Sequence, residues 1–154
     1  MHSQIDHGAE AIQLFDSWAG ALTAADYERY VMPASARVLE AVAATGVPRI
    51  HFGVGTGELL PLMADAGADV VGVDWRIPLA EARTRVPDRC ALQGNLDPAI
   101  LGAPWEVVAA EVDAVLDSNA GHPGHIFNLG HGVTPDVDPE VLEKVVERVH
   151  AHRS

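Results

Sequence analysis

The chain is poor in cysteine and in basic residues, and it has no long apolar run. Its single cysteine, Cys90, excludes an intrachain disulfide framework and fits a reducing, cytoplasmic compartment. Only ten Lys and Arg stand against 22 Asp and Glu, a formal charge of −12. Duplex nucleic acid and anionic membranes both call for basic patches, so neither is an expected partner. No stretch approaches the roughly 20 apolar residues that a bilayer span requires. The opening residues, MHSQIDHGAE, lack the basic start and apolar middle of a secretory signal. What is present is a 154-residue chain, 48% hydrophobic, long enough for one domain with a proper core and too short for two ordinary ones.

Short apolar runs alternate with helical patterns. Strands are predicted at residues 11–17 (AIQLFDS), 49–55 (RIHFGVG), 68–75 (ADVVGVDW), 90–95 (CALQGN) and 125–130 (HIFNLG). Thr23 caps the helix after the first strand, with Asp26 three residues on, and Pro33 should kink or split that helix. Pro98 and Pro104 open helical stretches, the longer running over residues 104–121. Asp138 is an N-cap with Pro139 behind it, and Val141, Leu142, Val145, Val146 and Val149 form the expected buried stripe of the last helix. Strict βα alternation without hairpin signals means a parallel sheet covered by helices. A doubly wound sheet and a barrel both remain open on pattern alone.

Each predicted strand ends in polar or small residues: Asp16-Ser17, Gly53 after His51, Asp74-Trp75, Gln93-Gly94-Asn95, and Asn128 ahead of Gly130-His131-Gly132. Both parallel architectures place their chemistry at strand carboxyl ends. A ring of five polar tips favours the barrel, and five strands are too few to close an eight-stranded one, so the chain reads as the back portion of something larger. The stretch HFGVGTGELLPLMADAGADVVGVDW admits a competing reading. Gly53, Gly55 and Gly57 would wrap a dinucleotide or adenosylmethionine, with Asp74 on the ribose at close to the roughly 20-residue interval of such sites. A lone glycine triplet is a weak signal. That reading also leaves QLFDSWAG and FNLGHG unexplained, whereas glycines making a tight loop at a barrel mouth do not.

The segments IQLFDSWAGALTAADYERYVMP, VGVDWRIPLAEAR, LQGNLDP and FNLGHGVTPDVDPEVLEKVVERVH, in this order, resemble the C-terminal part of the uroporphyrinogen decarboxylase family. The resemblance covers residues 4–152. It implies the last five βα units of a single (β/α)₈ TIM barrel, with the N-terminal part of that one domain lying before residue 1. It also implies a cofactor-free reaction, no metal, and a family homodimer. The reaction is loss of carbon dioxide from the four acetate side chains of uroporphyrinogen III, giving coproporphyrinogen III on the way to porphyrin and heme. By the same resemblance Ser17 (in F-D-S) and His131 (in N-L-G-H-G) are substrate-binding residues that meet the tetrapyrrole's carboxylates. The family's catalytic aspartate, its arginine motif and a substrate-contacting tyrosine belong to the part before this segment, so the segment alone is expected to be inactive.

Other features carry less. His122 and His125 at i, i+3 spacing suggest a metal only weakly, since no carboxylate or cysteine completes the set nearby, and a solvated loop is the expectation. His150 and His152 suit the C-terminal dipole of the last helix. Asp74 and Asn95 shape the cleft, Cys90 packs, and Trp18 either lines the pocket or packs. Of the arginines, Arg76 alone follows a strand closely enough to reach the rim; the others, including Arg153, fall in helices or before strands. Three alternatives stand beside the enzyme. One is a non-catalytic tetrapyrrole-binding module. The second is a corrinoid-linked methyltransferase of the same superfamily, disfavoured because no His-x-Cys pair is present. The third is an adenosylmethionine-dependent methyltransferase.

Overall fold

The computed structural model describes residues 1–119 and 121–152. Ala120, inside the stretch expected to be helical, and Arg153 and Ser154 lie outside them. Five strands form one parallel sheet: β1 (Ile12–Asp16), β2 (Arg49–Gly53), β3 (Val70–Gly72), β4 (Ala91–Leu96) and β5 (His125–Leu129). The intervening helices are α2 (Ala24–Asp26), α3 (Met32–Ala43), α4 (Leu60–Asp65), α5 (Leu79–Arg85) and α6 (Trp105–Ser118), with α7 (Pro139–Ala151) closing the series. A short N-terminal helix, α1 (His2–Asp6), precedes β1; no sequence signal had pointed to it.

The spatial order is β1-β2-β3-β4-β5, all pairs parallel. This settles what periodicity left open. A doubly wound sheet reverses its strand order at a switch point, whereas a barrel adds each strand on the same side of the last. The sheet is an arc of the second kind, a partial barrel, with β1 and β5 as its edges.

The two sheet faces differ. On one, Val71, Val73 and Leu92 are buried against Leu60 and Met63 of α4 and Leu79 and Ala82 of α5. A second cluster joins Leu96 to Val108 and Val112 of α6 and Val145 of α7, with Phe127 and Leu129 packed against it. The other face carries Gln13, whose side-chain oxygen accepts from Gln93 Nε2 at 3.1 Å, and Phe15, which meets Phe52 edge-on at 6.1 Å between centroids. This inner face has few helices to cover it, and Phe15 and Ile126 remain 64% and 43% exposed.

Local signals shape the covering helices. Thr23 Oγ1 accepts from Asp26 N at 3.1 Å, as a capping threonine should. Pro33 does split the segment: a π-type turn over Tyr27–Val31 separates α2 from α3, and the proline falls in the first turn of α3, where its missing N–H costs nothing. Asp138 caps α7 through Glu140 N at 3.0 Å. The expected stripe of α7 is narrower than its periodicity allows, because Val146 is 52% exposed. α7 packs chiefly against α6, in the cluster that also takes in Leu101 and Leu129, and Val145 is its one fully buried residue.

Candidate functional site

The carboxyl ends of the five strands carry three loops that touch one another. The first follows β1 and holds Ser17, Trp18 and Gly20. The second is the glycine loop, residues 53–57, after β2. Gly20 joins them: a Cβ there would lie 2.1 Å from the Val54 carbonyl oxygen, so only glycine permits the approach. The third is Asp74-Trp75-Arg76, after β3. Its carboxylate answers the nucleotide question. Asp74 is 3% exposed; its Oδ2 accepts from Gly55 N and from Arg76 Nη1, both at 2.5 Å, and its Oδ1 from Arg76 N at 3.2 Å. Gly55 sits at φ +68°, which turns its N–H toward that carboxylate. The acid that resembled a ribose ligand is the internal anchor of the glycine loop, and no face of it is left for a ribose. Asn95 ties the fourth strand to the same place, donating from Nδ2 to the carbonyls of Asp74 at 2.8 Å and Ile77 at 2.6 Å.

Ser17 lies in the turn after β1 and is exposed. His131 follows β5, is exposed, and meets the Trp75 ring edge-on at 5.9 Å. Trp75 is held from two sides. The Arg76 guanidinium lies 4.0 Å from its ring centroid, and Gly130 packs so tightly on its backbone that a Cβ would fall 2.4 Å from Trp75 N. Both residues thus follow strand carboxyl ends, at the two edges of the sheet, with the Asp74 cluster between them. Trp18 neither packs nor is covered: it is 89% exposed.

Beneath Ser17 lies a polar cluster that no local pattern announced. Asp16 Oδ2 accepts from Ser35 Oγ at 2.9 Å and pairs with His51 Nε2 at 2.9 Å. His51 is fully buried, with Nδ1 3.4 Å from the Met63 carbonyl. The His51 hydrogen bond, followed by that from Ser35, holds the Asp16 carboxyl below its ordinary range against the opposing effect of burial. Tyr27 is also fully buried; its desolvation and the Asp16 charge push its phenol well above the usual value. The only hint in sequence was a histidine two residues ahead of Gly53, on the strand next to F-D-S.

His125 and Cys90 have structural surroundings, whereas His122, His150 and His152 are exposed. His125 is not in a solvated loop: it begins β5, and its Nε2 donates to the Gly94 carbonyl at 2.8 Å, which burial offsets by lowering its pKa. Cys90 is 2% exposed, its thiol directed to the Ala68 carbonyl and raised in pKa by burial. Among the described residues, no group of three or more His, Cys, Asp and Glu converges as a metal site would require. No helix among them is long and apolar enough to cross a membrane.

An arc of parallel strands in sequential order, its polar tips gathered on one rim, defines the class: a segment of an α/β barrel with its site at the strand carboxyl ends. More narrowly, the chain belongs to the uroporphyrinogen decarboxylase family, whose description, Uroporphyrinogen decarboxylase (URO-D), matches residues 1–152. It is 65% identical over 147 residues to the uroporphyrinogen decarboxylase of Streptomyces griseus, covering 96% of this chain and 40% of that one. To the enzyme of Arthrobacter sp. (strain FB24) it is 56% identical over 151 residues, covering 98% and 44%. The chain therefore spans about 40% of the length of the curated relatives it matches. Among solved structures it is similar to a methyltransferase from Methanosarcina mazei, at TM-score 0.81 and 18% identity, over 95% of this chain and 43% of that one. A Schiff-base-forming fructose-1,6-bisphosphate aldolase is more distant, at TM-score 0.59 and 14% identity, over 95% and 60%. At such identities the two likenesses concern the fold alone.

Proposed function

We propose that this chain is the C-terminal segment of a single-domain uroporphyrinogen decarboxylase, and that it supplies Ser17 and His131 as carboxylate-binding groups for the tetrapyrrole. The observation that carries the reading is the family match across residues 1–152, at 56–65% identity to enzymes of that name. The placement of both residues just past strand ends, exposed on the loops of that rim, supports it.

The reaction asks little covalent chemistry of the protein. Protonation of a pyrrole ring carbon turns the ring into an electron sink, and loss of the acetate carboxylate as carbon dioxide leaves an exocyclic methylene. A proton added to that methylene, with loss of the one on the ring carbon, gives the methyl group and restores the pyrrole. What the protein must supply is orientation of a polyacid and stabilisation of the transient cation. A Ser17 hydroxyl donates to a substrate carboxylate. The His131 imidazole does so as a neutral donor, or pairs with the carboxylate when protonated, and the glycines on either side leave room for close approach. Neither group performs the proton transfer to carbon. That role falls to the longer protein, so the 154-residue chain binds but does not turn over.

Electrostatics points the same way. An eight-carboxylate substrate meets a chain of net charge −12, and among the described residues five of its ten cations pair with its own acids, Arg76 with Asp74 at the rim being one. Arg49 pairs with Asp69, Arg85 with Glu58 and Glu81, Arg89 with Asp65, and Arg148 with Asp113. A cytoplasmic setting, a homodimeric assembly and no affinity for nucleic acid complete the proposal. Two measurements test it. Uroporphyrinogen III incubated with the purified chain should yield no coproporphyrinogen III, and detectable turnover would overturn the assignment of roles. Uroporphyrin titrated against the same chain should quench tryptophan fluorescence in a manner weakened by Ser17→Ala and by His131→Ala.

A further inference from the structure

The buried cluster behind the β1 tip has no part in the reading above, yet it sits one residue from Ser17. Three facts set it apart from an ordinary surface ion pair. Its histidine is fully buried and its serine, Ser35 of α3, is 5% exposed, so both were desolvated to reach Asp16. Both contacts converge on a single oxygen, Oδ2, each at 2.9 Å. They come from two separate elements, β2 and the start of α3, so the carboxylate is braced laterally by the sheet and from behind by the helix layer. A buried polar contact is a poor source of net stability compared with apolar packing. Its consequence lies in geometry: the Asp16 side chain cannot rotate, and with it the backbone that launches the next residue is held in direction.

The next residue is the exposed Ser17. Trp18 beyond it is 89% exposed, and the loop is next fixed only at Ala19 and Gly20. A hydroxyl on a turn binds a carboxylate well only if its direction is set before the ligand arrives, because ordering it on binding costs affinity. We propose that Asp16, gripped by His51 and Ser35, is a positioning residue that pre-orients Ser17 toward a carboxylate of the tetrapyrrole. Asp16 does not touch the ligand; it acts through Ser17. The inference rests on the reading of Ser17 as a substrate-binding residue.

The test is a double-mutant cycle on the 154-residue chain, with uroporphyrin as the probe and affinity as the readout. Asp16→Asn and Ser17→Ala should each weaken binding, by about 5- to 10-fold for a lost or misdirected charge-assisted hydrogen bond. In the Ser17→Ala background, Asp16→Asn should then cost nothing more. Ser35→Ala removes one brace, leaves the His51 pair and the apolar core in place, and should cost about 2- to 3-fold on the same logic, again only while Ser17 is present. Equal losses from Asp16→Asn or Ser35→Ala with and without the Ser17 hydroxyl would mean a merely structural cluster and overturn the inference. So would unchanged affinity in folded Asp16→Asn and Ser35→Ala proteins while Ser17→Ala weakens binding. Wild-type binding that is indifferent to Ser17→Ala, or absent altogether, would instead remove the reading of Ser17 and the inference with it.

Discussion

The tips of β1 and β5 each present one exposed polar residue on the rim, and they hold it by opposite means. Behind Ser17 is a polar brace, with Asp16 gripped by a buried histidine and a buried serine. Behind His131 is close packing: Gly130 lies against the Trp75 backbone, and the Trp75 ring, covered by Arg76, faces the imidazole edge. The two strands sit alike, each at an edge of the sheet beside a neighbour buried along almost its whole length, and the difference lies in the side chain that the neighbour offers. β2 sets the fully buried His51, on its helix-covered face, against Asp16, whereas the rim amide of β4, Asn95, donates to the Asp74 and Ile77 carbonyls and not to β5. One tip is held by hydrogen bonds from the strand and helix beside it; the other is held by shape.

The sharpest way to break the comparison is to spoil the shape. Gly130→Ala puts a Cβ 2.4 Å from Trp75 N, a clash with backbone that no side-chain rotation relieves. It should cost about 3 kcal/mol of stability in urea unfolding and displace His131, read as loss of the Trp75–His131 contact in proton NMR. Somewhat less is expected from breaking the polar brace. His51→Ala leaves a partly buried carboxylate facing a cavity and should cost about 2–3 kcal/mol, with the β5 tip unchanged by the same NMR criterion.

Acid separates the two ends without mutation. His125 binds its proton less readily in the folded chain, because burial outweighs the Gly94 hydrogen bond and Arg83 lies near. Stability from this group is therefore complete above about pH 6.5, the unfolded value, and is lost as pH falls below it. Asp16, with its pKa lowered, contributes stability that is present above about pH 4 and is lost only as pH falls through its folded value. Hydrogen exchange followed from pH 7 downward should show β5 loosening first and β1 much later, and His125→Gln should remove the earlier phase alone. The smallest effect concerns caps remote from the rim. Thr23→Ala and Asp138→Ala should each cost about 1 kcal/mol in thermal unfolding and leave porphyrin affinity unaltered.

Features written within a few residues were legible before any coordinates. Thr23 and Asp138 cap helices because the acceptor and the amide it serves are two or three positions apart, and Pro33 broke its helix for a reason internal to the ring. Helix periodicity misjudged Val146, since the stripe it draws is wider than the face that α7 buries around Val145. The glycine loop was visible as a loop, but the role of Asp74 was not, because its partner Gly55 belongs to the adjacent strand's exit. The Asp16–His51 pair left no more in the sequence than a histidine on the strand next to F-D-S. It spans 35 positions and exists only because the register sets Asp16 opposite Gly53.

Alternation of apolar runs and caps, together with the F-D-S, Q-G-N-L-D-P and N-L-G-H-G segments, was enough for the parallel α/β class and the family, since both are carried by short stretches of chain. The anchoring of the glycine loop and the two supports behind Ser17 and His131 came only with the folded sheet. Each of those depends on which strands lie side by side, and pairing between distant segments is decided by the burial of the whole rather than by any local preference.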